Sequence, residues 1–139
     1  MPNIKISSKY RPSEKEKFMN AKQREFFRRR LLGWRDELVR DAKGTIQSLQ
    51  EDDGQAPDIA DRATTESERS IELRARDRQR KLVAKIDAAL GRIENGSYGY
   101  CDDTGEPIGL KRLEARPIAT LSIEAQERHE RLERVYREE

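Results

Sequence analysis

Cysteine, aromatic residues and long apolar runs are all scarce in this sequence. A single cysteine at position 101 cannot close an internal disulfide, and a reducing cytoplasm is the expected compartment. Aromatic residues make up 6% and hydrophobic residues 34% of the 139 positions, against ~45–50% apolar in ordinary globular chains. A thick core running the length of the chain is therefore excluded. No apolar run approaches the ~20 residues that span a bilayer, and no signal-like segment opens the sequence. An excess of one charge is missing too. The 29 Lys and Arg against 27 Asp and Glu leave a net +2, which argues against a one-signed disordered tail. There is no Walker loop, dinucleotide fingerprint or nucleophile elbow. The one histidine, His129, stands among charges and reads as a surface residue, so no enzyme is expected.

The near-neutral total conceals a pattern. Residues 1–43 hold thirteen basic against six acidic side chains, whereas residues 51–72 hold two against eight. Residues 73–94 return to seven basic against three acidic, and 101–139 hold seven against ten. A short acidic island thus lies between two basic stretches.

Hydrophobic spacing divides the chain. Residues 1–17 lack periodicity and contain two prolines, which predicts a mobile arm. From Asn20, a credible N-cap, to about Gln50, Phe27, Leu31, Trp34, Leu38, Ala42, Thr45 and Leu49 recur at steps of three and four. Gly54 and Pro57 break the pattern. A second run follows from about Ile59 to Glu94, through Ala63, Ser67, Ile71, Arg74 or Ala75, Arg78, Leu82, Ile86, Ala89 or Leu90, and Ile93; Asn95-Gly96 stops it. Two long helices joined by a short turn pack antiparallel to bury such seams. A two-helix rod needs only a narrow apolar stripe, which accounts for the composition.

The expected fold class is mainly α: a long antiparallel coiled-coil hairpin over 18–94, with its acidic tip at about 51–61. A small globular head over 95–121 follows, and a C-terminal helix over 122–139. The head is rich in glycine and proline and reads as tight turns with a small hairpin. Its candidate core is Tyr98, Tyr100, Ile108, Leu110, Leu113, Ile118, Leu121 and Ile123, and Ser122 would cap the final helix. That helix carries a stripe of Ala125, Arg128 or His129, Leu132, and Val135 or Tyr136.

Asp58 and Asp61 stand three apart on the acidic turn. They suit an N-cap and a helix dipole. Equally, carboxylates at the end of a rod could be delivered into a cavity, onto a metal ion, a nucleic-acid backbone or a basic wall.

The segments PDIADRATTESERSIELRARDRQRKLVAKIDAALGRIENGSYGYC and GEPIGLKRLEARPIATL carry a more specific signal. With their D-x-x-D-R-A turn, E-L-R-x-R-D-R helix and I-G-x-x-R-L-E-A-R-P segment, they resemble the DksA family of bacterial transcription factors. The similarity runs from about Met19 to His129. It implies a coiled-coil hairpin inserted into the secondary channel of RNA polymerase, without direct sequence-specific DNA binding. It also implies action with guanosine tetraphosphate: ribosomal RNA promoters repressed, and some amino-acid biosynthesis promoters helped. Asp58, Asp61 and Ala63 match the family's tip. Arg78, Leu82, Lys85 and Arg116 match positions facing polymerase or the nucleotide, while a third basic position of the nucleotide site is Gln126 here. A monomer is expected.

The resemblance has one large departure. Members of the family place two C-x-x-C pairs around a structural zinc. The matching positions here are Cys101, Thr104, Ser122 and Ala125, which cannot supply four zinc donors. A head without metal is therefore expected, with Cys101 a small, partly buried residue. Two other readings compete: a transcript-cleavage factor using the same channel, and a nucleic-acid binder using Arg24, Arg28, Arg29, Arg30 and Arg35.

Overall fold

The structure, a computed structural model, describes residues 4–51 and 59–138, with side chains over 4–44 and 62–137. Among the described residues there are four helices: α1 (Ala21–Glu51), α2 (Ile59–Asn95), α3 (Leu110–Ala115) and α4 (Ile123–Glu138). The described chain is mainly helical, as the spacing predicts, and the two long helices begin and end within about a residue of the expected positions. The small hairpin expected in the head is reduced to one isolated antiparallel bridge, Tyr100 to Pro107. The glycines and prolines there leave too few extended residues for a ladder. The short α3 was not expected; six residues are too few to display a helical period.

The chain forms two compact units, one of Met1–Leu31 with Ala88–Glu139 and one of Leu32–Asp87. In the first unit, α1 starts as its cap residue dictates. The Asn20 side-chain oxygen accepts the Gln23 backbone N–H at 2.9 Å. Gln23 is fully buried, and its amide bridges two backbone groups of the preceding segment, accepting from Met19 N–H and donating to the Ser13 carbonyl. The segment read as a mobile arm therefore lies against α1 in this structure, with Tyr10 edge-on to Phe26. Glu25 is buried as well. Arg28 and Arg29 hold its carboxylate at 2.8 Å each, and these hydrogen bonds outweigh burial, bringing its pKa down to about 2.

Phe27, Leu31, Ala89, Ile93, Tyr98 and Leu113 form the heart of this unit. The Phe27 and Tyr98 rings lie 5.6 Å apart, and the Tyr98 hydroxyl donates to the Pro117 carbonyl at 2.8 Å. Of the expected head core, Ile108 and Leu110 are also buried. Tyr100 and Ile123 are exposed instead. Along α4 Ala125 is fully covered and Gln126 half-buried, and Leu132, Val135 and Tyr136 face outward.

In the second unit the hairpin is antiparallel. Arg35 pairs with Asp87 at 2.6 Å, while Leu38, Val39 and Ala42 face Gln79 and Val83 across a small cavity. The seam of α2 departs from the expected one at Ala63, Ser67, Ile71 and Arg78, while Ala75, Leu82 and Ile86 lie as expected. Ile71 is 62% exposed, and Arg74 and Arg78 are exposed too; Glu72, Ala75, Gln79 and Leu82 turn inward, then Ile86 is fully buried. Ala75 and Gln79 carry little apolar signal, so the pattern in the sequence drifted to the bulkier Ile71.

Gly99 holds a position that only glycine tolerates. Its φ is +91°, and a Cβ there would come within 2.9 Å of the Met19 side chain and 3.2 Å of Phe18. Gly99→Ala is expected to lower stability by about 2 kcal/mol, from the left-handed backbone together with the clash. Chemical denaturation of the purified variant measures it.

Candidate functional site

The expected tip lies at the limit of what is described. Asp58 falls outside the described residues, and Asp61 is described only as part of the α2 backbone. Ala63 follows on α2 and is exposed. Further along the same helix, Arg78 and Lys85 are exposed and Leu82 is half-buried. Ile71, Leu73, Arg74 and Arg78 line an open groove of about 940 Å³. Two exposed apolar side chains beside arginines make this a contact surface in chemical character. Arg116 and Gln126 belong to the first unit and Lys85 to the second. Arg116, which follows the last residue of α3, is exposed.

The four positions read from the sequence as a zinc-ligand set, Cys101, Thr104, Ser122 and Ala125, come together in the first unit only in part. Cys101 is 3% exposed. Burial pushes its thiol pKa up. Hydrogen bonds from the backbone N–H groups of Ser122, Thr104 and Asp103, and from the Thr104 hydroxyl, outweigh burial and bring it down to about 6. The Thr104 oxygen also accepts the Glu106 N–H at 3.3 Å. Ser122 is the cap of α4, as expected, its hydroxyl accepting the Ala125 N–H at 3.2 Å. Ala125 presents a fully buried methyl group. One thiol, two hydroxyls engaged in a turn and a cap, and a methyl group do not fit a tetrahedral zinc ion. Among the described residues no three His, Cys, Asp or Glu side chains gather to hold a metal. What survives is the shell of N–H donors around one sulfur.

His129 is exposed, as read, and has one partner. Its Nε2 lies 2.6 Å from Asp103 Oδ2, linking α4 to the turn after Cys101. Twenty-six residues separate the two, so no local motif announces the pair. Arg112 makes a second such tie, donating from Nε to the Leu121 carbonyl at 2.8 Å. No helix among the described residues is long and apolar enough to cross a membrane.

Two long helices followed by a compact, turn-rich module with a vestigial ligand turn define the class: a helical-hairpin protein with a zinc-finger-like head. Residues 23–93 match the model of the DnaK suppressor protein DksA N-terminal domain, and residues 96–131 match that of the prokaryotic dksA/traR C4-type zinc finger. The chain belongs to the DksA family. It is 60% identical over 132 residues to the RNA polymerase-binding transcription factor DksA of Caulobacter vibrioides, covering 95% of this chain and 93% of that one. It is 44% identical over 115 residues to the factor of the same name from Escherichia coli K12, covering 83% and 76%. Among solved structures, that of transcription factor DksA2 from Pseudomonas aeruginosa superposes with a TM-score of 0.79 at 47% identity, covering 84% of this chain and 90% of that one. The family is one of transcription factors, and the chain is not an enzyme.

Two outcomes test the reading of the head. Protein purified without chelator is expected to contain far less than one zinc per chain by elemental analysis; near-stoichiometric zinc contradicts it. Thiolate absorbance of folded protein should titrate with a midpoint near pH 6 and disappear in Cys101→Ser. Because the folded-state value lies below the unfolded 9.0, the thiolate's contribution to stability is fully present above that value. It is lost as pH falls toward about 6.

Proposed function

We propose that this chain binds RNA polymerase directly and regulates initiation from the secondary channel, acting as a cytoplasmic monomer without sequence-specific DNA binding. The observation that carries this reading is 60% identity, across 95% of the chain, to a protein named for binding RNA polymerase. In this reading the acidic turn with Asp58, Asp61 and Ala63 reaches the polymerase active centre. A carboxylate brought there perturbs nearby cations and phosphates strongly, because low-dielectric walls leave its field poorly screened.

Arg78 and Leu82 contact the channel wall, and Lys85 and Arg116 take the pyrophosphates of guanosine tetraphosphate. Arginine supplies a bidentate fork and lysine a point charge. Gln126 contributes no charge at the third basic position, so nucleotide dependence is weaker than in a member with all three. The regulated promoters are those of ribosomal RNA, repressed, and of amino-acid biosynthesis, helped. The acidic tip and the interleaved carboxylates on the long helices disfavour the nucleic-acid-binder reading, since both repel phosphate.

In vitro transcription from a ribosomal RNA promoter, with and without guanosine tetraphosphate, tests the proposal. Wild type is expected to repress, more so with the nucleotide. Asp58→Asn/Asp61→Asn is expected to lose most repression while still binding polymerase in a direct binding assay. Equal repression by the double variant removes the tip mechanism, and shortening of RNA in stalled complexes would favour a cleavage factor instead.

A further inference from the structure

The second unit contains a gap between its two helices that neither the tip nor the outer groove at Ile71 accounts for. This cavity measures about 270 Å³. Its walls are apolar: Leu38, Val39 and Ala42 from α1, and Val83 from α2. Gln79 stands one turn before Val83 on the same face of α2. It lines the cavity too, and its side-chain oxygen is buried with no hydrogen-bond partner. Three exposed cations, Lys43, Arg76 and Arg80, complete the lining. Arg80 pairs with Asp77, while Lys43 and Arg76 make no ion pair among the described residues.

These features select a ligand chemistry. A buried carbonyl without a donor is costly, so native proteins give such a group a partner or an ordered water. A buried water suits a site that offers it roughly two to four polar partners. Here one free acceptor stands among four aliphatic side chains. Apolar walls favour an apolar body, and a lone acceptor fixes its orientation through an N–H or O–H donor. Exposed cations of one sign attract a negative charge to the mouth. The volume lies just under the ~300–1,000 Å³ of ordinary small-molecule pockets, so the body is small, a fused ring pair at most.

We infer that the hairpin stem holds a binding site for a small apolar acid carrying one N–H or O–H donor. Its body fills the space between Leu38, Ala42 and Val83, its donor meets the Gln79 side-chain oxygen, and its carboxylate lies among Lys43, Arg76 and Arg80. Both helices contribute, so an occupied site ties α1 to α2 and stabilises the pair by mass action. The site belongs to the free chain and does not rest on the polymerase reading.

Calorimetric titration of the full chain with indolepropionate, an apolar ring with one N–H and a carboxylate tail, reads the site directly. Binding on the order of a millimolar or tighter is expected, with a rise in the thermal unfolding midpoint as the site fills. The N-methyl derivative, which lacks the donor, is expected to bind about fivefold more weakly. Gln79→Met should weaken the parent probe to the level of the derivative and leave the derivative unchanged, a pattern that altered packing alone does not produce. Arg76→Ala is expected to cost about threefold, and more at low salt. Ala42→Leu fills the gap and should abolish binding; Gln79→Met keeps the test decisive should that variant fail to fold. Leu132→Ala, which removes an exposed apolar side chain from α4, should change nothing. The inference is overturned by no binding at millimolar probe, by equal affinity of wild type for the two probes, or by an equal loss in Leu132→Ala. The first outcome leaves the gap a packing defect, and the others leave the binding as diffuse apolar attraction.

Discussion

The first unit depends on one buried phenol. Tyr98 is 1% exposed, packs against Phe27 of α1, donates its backbone N–H to the Arg92 carbonyl in the last turn of α2 and its hydroxyl to the Pro117 carbonyl. Three segments far apart in the chain meet at this side chain. A buried hydroxyl that finds its acceptor adds about 1 kcal/mol, while one that loses it costs 1–3 kcal/mol. The geometry around it is therefore all-or-none: if Pro117 moves, the turn before α4, the end of α2 and the start of α1 all lose their common anchor.

Around that anchor, the turn-rich segment that matches a C4-type zinc-finger model holds a single cysteine. The N–H groups of Asp103, Thr104 and Ser122 still point at the Cys101 sulfur. Such donors would stabilise a thiolate whether or not a metal shares the negative charge. Packing and short ties take over what coordination would do: Ala125 fills its site with a methyl, Arg112 reaches the Leu121 carbonyl, and His129 meets Asp103. Each replacement is weaker than a metal–ligand bond, but together they hold α4 to the turn.

The second unit works under a different constraint. Its seam uses Ala75 and Gln79 opposite Leu38, Val39 and Ala42, so little apolar area is removed from water per turn. The Gln79 side-chain oxygen is buried there without a partner. Surface ion pairs such as Arg80 with Asp77 add little, being exposed and screened. The larger apolar side chains of this stretch, Ile71 and Leu73, are left on the outside. A hairpin that spent its best apolar residues on its own seam would have none left for a partner.

Helix limits, the Asn20 and Ser122 caps, the stop at Asn95-Gly96 and the family were all readable from the sequence, because each rests on residues close in the chain or on a motif of residue types. The phase of the α2 seam was misread at Ile71, since periodicity records hydrophobicity and the true seam is small and polar. Glu25's double clamp was within reach, its partners lying three and four residues away. The partners of Tyr98, the His129–Asp103 contact, the donor shell at Cys101 and the unpaired Arg92 guanidinium were settled only by tertiary structure. Those depend on which distant segments meet in space, with separations of 19 and 26 residues for the first two, and on what burial does to a charge once they have met. Neither is encoded in any local pattern.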